Sequence, residues 1–297
     1  MTSGALAALF DRVYSESNLK RLEHWIVAIS ALGFLAHLIH IFLANNLPNP
    51  PAIIAAGGKN YLYAIYTPFS IILFYEVLIL IAALPQSTTD SIATQYEIVS
   101  LIFMRGFFKD IAKLDLNVHL NATELTPAIL EACAGLVMFL LVTVFQHVAK
   151  RRARGQPSEP AVLQKFIERK KLVALVLTVV FVWLAASSLL GYALQTYREI
   201  YGGAPVVLAP PALFYSDVFT VMIFTDVLIL LLSLVVSDRY ELVFRNAAFV
   251  ISTILIRFSL TAEHPYGALL GLSGMLFGIA TTLIYNYNTR IREVSAH

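Results

Sequence analysis

The chain has 297 residues, of which 58% are hydrophobic and only 13% charged, with a mean hydropathy of +0.74 and a formal net charge of +2. Soluble globular chains are about 45–50% apolar, so this composition excludes a soluble domain, and the small net charge gives no basic surplus for nucleic acid. The single cysteine, Cys133, excludes an intrachain disulfide and a cysteine-built metal centre.

Residues 1–22 contain Asp11, Arg12, Glu16, Lys20 and Arg21, which interrupt the apolar core that a cleavable signal peptide requires. Leu6, Leu9, Phe10 and Val13 share a helical face, so a retained cytoplasmic or interfacial helix is expected. A helix needs about 20 apolar residues to cross a hydrocarbon layer about 30 Å thick. Eight stretches approach that length: 24–44, 61–84, 88–108, 125–148, 171–194, 212–236, 241–261 and 265–287. None shows the short alternating pattern of a barrel strand, so an all-α fold is expected. His24, Trp25, Tyr61, Tyr63, Tyr66, Tyr285 and Tyr287 fall near span ends, where amphipathic rings anchor at the interface.

Basic residues set the orientation, because cytoplasmic loops attract Lys and Arg. Lys150, Arg151, Arg152, Arg154, Lys165, Arg169, Lys170 and Lys171 crowd the loop between the fourth and fifth spans. Arg12, Lys20 and Arg21 precede the first span, and Arg290 and Arg292 follow the last. An even count of spans puts all three groups on one side, with both termini cytoplasmic. The same loop divides the chain into a first four-helix repeat at 23–149, a basic linker at 150–170 and a second repeat at 171–297.

The two halves match. FYEVLIL, from Phe74, reappears as FTDVLIL, from Phe224, with Glu76 and Asp226 in register. Tyr96 and Glu97 correspond to Tyr240 and Glu241 as a Tyr-Glu pair, Arg105 to Arg257, and AILEACAGL, from Ala128, to ALLGLSGML, from Ala268. The pattern implies a duplicated four-helix unit. An even number of spans per unit makes the repeats parallel, related by a pseudo-two-fold axis along the membrane normal.

An ionised group at the bilayer centre costs about 2.5–3.5 kcal/mol on insertion scales, so each is expected to face the bundle interior with a partner. Counting about 1.5 Å per residue sets Asp226 at a depth between Arg245 and Arg257. Glu263 and His264 stand at the outer mouth. In the first half Glu97, Glu76, Arg105 and Asp110 make a thinner column, and Ala93 occupies the position of an inner arginine. Glu76 is therefore expected to be less neutralised than Asp226. Such groups either line a polar path for a small ion or act as interhelical glue.

His37 and His40, three apart, share a helical face and offer two imidazoles for a metal or haem; otherwise no cofactor is expected. The sequence contains no GxSxG, HExxH, P-loop or GxGxxG after a strand, so no enzymatic activity is expected.

The acid of FTDVLIL, followed by RNAAFVISTILIRFSLTAEHP, resembles the phosphate-starvation-inducible PsiE family of bacterial membrane proteins. Asp226, Arg245, Arg257, Glu263 and His264 match its pattern in the second half; Glu76, Arg105 and Asp110 match in the first. Members of that family are single four-helix units, so this chain resembles two of them fused. The resemblance implies a multi-pass protein of the bacterial inner membrane and no established activity. Three expectations result: conduction or transport of a small ion, an accessory or assembly role in a larger complex, and haem- or quinone-linked electron carriage at His37 and His40. Membrane lipids, a homo-oligomer or a larger membrane complex are the expected partners.

Overall fold

The computed structural model describes residues 3–51, 60–112, 122–150, 160–202, 213–234 and 240–295, together with Ile54 and Leu114. Among these residues there are nine helices and no β-strand: α1 (Ser3–Val13), α2 (Glu16–Asn46), α3 (Tyr63–Ala83), α4 (Thr88–Ile111), α5 (Ala122–Lys150), α6 (Pro160–Gly202), α7 (Leu213–Leu234), α8 (Tyr240–Ser259) and α9 (Tyr266–Ser295). Six are long and apolar enough to cross a membrane: α2, α3, α5, α6, α8 and α9. The two further spans expected at 88–108 and 212–236 are helical over their described residues as well. Of these, α4 carries Asp90, Glu97, Arg105, Lys109 and Asp110 along its 24 residues, and α7 has 22.

Local chemistry explains the boundaries. Pro85 follows the end of α3, and Ser87 caps α4 by accepting a hydrogen bond from the Asp90 backbone N–H at 3.2 Å. Ser15 caps α2 through the Asn18 N–H. The apolar helices expose large side chains along much of their length, among them Leu32, Phe139, Trp183, Leu189 and Phe224, each at least 60% exposed. Such a surface would aggregate in water, and hydrocarbon covers it without cost. The chain is therefore a multi-pass, membrane-compatible helical protein.

Successive helices pack in sequence: α2 on α3, α3 on α4, α4 on α5, and again α6 on α7, α7 on α8, α8 on α9. The two series meet chiefly where α5 packs on α9. Asn286 of α9 donates to the Val148 carbonyl of α5 at 2.9 Å, and Met138 of α5 lies against Gly271 of α9, so these two helices run in the same direction. Tyr96 stands at the centre of this junction, fully buried, with its hydroxyl 2.6 Å from Ser252 Oγ. A Cβ at Gly278 would overlap that hydroxyl, so only glycine lets α9 come so close. Phe145 packs edge-on against both Tyr96 and Phe249.

Several sequence expectations change. The segment 150–170 is not wholly a linker: α5 runs to Lys150, and α6 starts at Pro160, leaving 151–159 outside the described residues. Lys170, expected in a solvated basic loop, is only 3% exposed and donates to the Gln86 carbonyl at 2.6 Å. Its long stem packs among apolar groups while the ammonium caps the α3–α4 turn. The helix expected within residues 1–22 is present as α1, and it packs on α6. Phe10 enters the core there, Lys171 pairs with Asp11 at 2.6 Å, and the Tyr14 hydroxyl meets Thr178 Oγ1 at 2.6 Å. Trp25, Tyr61, Tyr63 and Tyr287 are exposed, as interfacial anchors should be, but Tyr285 is buried.

Phe145 and Phe139 provide a test of which surface is core. Phe145→Ala opens a cavity at the α4–α5–α9 junction, and thermal melts in detergent should show a clear loss, up to the roughly 3–5 kcal/mol typical of such truncations. Phe139→Ala removes a ring that is 60% exposed and should leave the melt nearly unchanged. Equal losses would contradict this packing.

Candidate functional site

The two acids of the duplicated motif each find an arginine. Asp226 of α7 is 6% exposed and Arg257 of α8 is 3% exposed. Arg257 donates from Nε at 3.0 Å and from Nη2 at 2.6 Å, both onto Asp226 Oδ2, and Nη2 also reaches Gln95 Oε1 of α4 at 3.2 Å. Glu76 of α3 pairs in the same way with Arg105 of α4. Glu76 is thus as directly neutralised as Asp226, contrary to the expectation drawn from Ala93.

Helix direction is the reason. Side chains tilt toward the N-terminus of their helix, so Arg257, near the C-terminal end of α8, extends back toward Asp226. Arg245 extends away from it. The Arg245 guanidinium lies over the Tyr285 ring at 4.6 Å and near Phe249 at 5.9 Å, with Nη2 donating to Asn246 Oδ1 at 3.2 Å. Asp226 therefore does not sit between two arginines; it has one, and Arg245 rests on aromatic faces.

A third cluster joins the two halves. His264, in the turn between α8 and α9, places Nε2 2.8 Å from Glu131 Oε1 of α5 and 3.3 Å from Asp110 Oδ2 at the end of α4. The donor atoms of these three residues all lie within 4.8 Å of one another. Asp110 and Glu131 are 6% and 7% exposed, while the imidazole is one-third exposed. Glu131 was missed in the sequence, although an acid inside the apolar run AILEACAGL is the same signal that singled out Glu76. Its aligned partner, Gly271, carries no charge and so concealed it.

Two spaces adjoin these charges. A cavity of ≈ 530 Å³ is lined by Arg105, Lys109, Glu131, Glu263 and His264 among others. A smaller space of ≈ 50 Å³ near the α3–α4 turn is lined by Gln95, Lys170 and Asp226. The remaining expected residues lie apart. Glu97 is exposed and accepts a hydrogen bond from Gln146. His37 Nδ1 lies 2.6 Å from Thr67 Oγ1, its ring 6.4 Å from that of His40. Among the described residues, no third His, Cys, Asp or Glu joins that pair at ligating distance.

The chain matches no protein-family model, no curated protein and no solved structure.

The Asp226–Arg257 pair allows a double-mutant cycle. Asp226→Asn leaves a buried guanidinium without its counter-ion and should cost about 3–5 kcal/mol. Adding Arg257→Gln should recover much of that loss, as measured by thermal or denaturant unfolding in detergent. Strictly additive losses would show that the two charges are not coupled.

Proposed function

We propose that the chain conducts or transports a small ion across a bacterial inner membrane, with no catalytic step. In this reading it has eight spans arranged as two parallel four-helix repeats, with both termini cytoplasmic. The resemblance to PsiE-like proteins, carried by the motif residues alone, belongs to the same reading. So does the gathering of Lys150, Lys170, Lys171 and Arg290 toward one end of the bundle.

One observation carries the function: open space adjoins both buried acid–arginine pairs. A cavity of ≈ 530 Å³ reaches Arg105, and a smaller space of ≈ 50 Å³, at the end marked by Lys170, reaches Asp226. Charged groups inside a bundle that also border open space are what an ion path requires. Interhelical glue alone would not need either opening.

Purified protein in liposomes should pass K⁺, H⁺ or Cl⁻ down an imposed gradient. Asp226→Asn and Glu76→Gln should change that flux, measured per folded protein, by about tenfold, one kcal-scale step in barrier height. No flux under any of these gradients, with both substitutions merely lowering yield, would reject the reading.

A second reading has its own support. In the most apolar windows of α2 and α6 only 17% of residues are buried, the lowest share among the candidate spans. A partner of a larger membrane complex could dock there. Extraction in mild detergent should then recover a stoichiometric companion, and a clean monomer or homodimer argues against it.

A further inference from the structure

We infer that Asp110, Glu131 and His264 form a binding site for one divalent transition-metal ion per chain, of the kind that accepts imidazole and carboxylate together. The site goes beyond the flux reading and does not depend on it. It stands on the distances first. With metal–nitrogen and metal–oxygen bonds of about 2.0–2.2 Å and tetrahedral angles, neighbouring ligand atoms lie about 3.3–3.5 Å apart. His264 Nε2 already lies 2.8 Å from Glu131 Oε1 and 3.3 Å from Asp110 Oδ2. An ion entering here would replace the two His264 contacts and draw together donor atoms that already lie within 4.8 Å of one another.

The charge arrangement favours it. Two carboxylates, each more than nine-tenths buried, lie within 4.8 Å of each other and of one imidazole. Their mutual repulsion is relieved by a dication, which interacts favourably with both at once. Arg105, a cation on the cavity wall, pairs with Glu76. Lys109, also on the cavity wall, is exposed and therefore largely screened by solvent.

Shape supplies an independent argument. A Cβ at Gly106 would overlap the Glu131 carboxylate, so the bare backbone of α4 forms a seat for that group. Glu131 and His264 both line the ≈ 530 Å³ cavity, which gives an ion an entry route and leaves room for a water ligand in the fourth position. The donor set selects the metal class. One nitrogen and two carboxylates with no thiolate suit Zn²⁺, Co²⁺, Fe²⁺ or Mn²⁺, disfavour Cu⁺, and offer too few oxygens for Ca²⁺.

The site is also single. In the register that aligns Arg105 with Arg257, Asp110 corresponds to Ala262 and His264 to Ala112; in the register that aligns Ala128 with Ala268, Glu131 corresponds to Gly271. The symmetry-related position therefore has none of the three donors.

Tag-free protein, stripped with chelator and held in detergent, would be titrated with Co²⁺. The expected result is visible ligand-field absorption saturating at about one ion per chain and displaced by Zn²⁺. Zn²⁺ should also raise the melting temperature. Glu131→Gln, Asp110→Asn and His264→Gln should each weaken Co²⁺ binding by about tenfold or more, while His24→Ala, which removes an exposed imidazole, leaves it unchanged. His264→Gln alters a partly exposed turn residue and keeps the test valid if either buried carboxylate variant misfolds. A folded wild-type protein that binds no Co²⁺ stoichiometrically, or a His264→Gln variant that binds as tightly as wild type, would overturn the site. Binding is read without a gradient, so its failure and a failure of flux are separate results.

Discussion

The cost of an ionised group in a medium that cannot solvate it governs this structure. An unpaired charge deep in the bundle would outweigh the packing energy of several side chains. Each acid in the apolar repeat must therefore meet a base on the next helix, and this requirement fixes the rotation of α4 against α3 and of α8 against α7. Apolar packing cannot do this alone. α3 and α7 are largely apolar, so their buried acids are the strongest marks of which side of each helix meets its neighbour. The pairs Glu76–Arg105 and Asp226–Arg257 thus act first as register devices.

Contacts between the two halves build on that register. Once Arg257 is turned inward to Asp226, its remaining donor reaches Gln95, a residue of the other half. Ser252, one helical turn and a half earlier, faces Tyr96 in the same interface. Small residues then let the backbones approach, as is usual where lipid gives helices no hydrophobic reason to associate. Gly274 lends its carbonyl to Ser252, and Gly278 makes space for the Tyr96 ring. The junction is therefore held by a few short polar contacts inside a close-packed surround.

Much of this was legible in the chain. Hydropathy located all eight long apolar or mixed stretches as helices, because a run of twenty apolar residues has few other physical solutions. The buried acids were legible because intramembrane charge is rare enough to be informative on its own, but the Glu76–Arg105 pair was not. What failed was geometry finer than depth. Counting residues placed Asp226 between two arginines, but side-chain tilt decides which one reaches it, and that depends on helix direction rather than on distance along the axis. Lys170 was misread because a basic residue next to a basic loop gives no sign that its own turn of helix is covered. Tyr285 was read as an anchor because no local signal announces a guanidinium stacking on it from α8. Glu131 was hidden because its aligned position, Gly271, carries no charge.

The sequence match between the two series of helices is uneven at this cluster. The first series has Asp110 and Glu131 where the matched positions of the second hold Ala262 and Gly271, and the second has His264 where the first has Ala112. Neither half holds a complete donor set. Only the packing of α5 against α9, which brings the α8–α9 turn over the end of α4, assembles three groups into one cluster. The pairs Glu76–Arg105 and Asp226–Arg257 each join neighbouring helices of one series, whereas the cluster of Asp110, Glu131 and His264 spans both. Charge pairing therefore holds neighbouring helices together, while the cluster beside the cavity depends on how the two series meet.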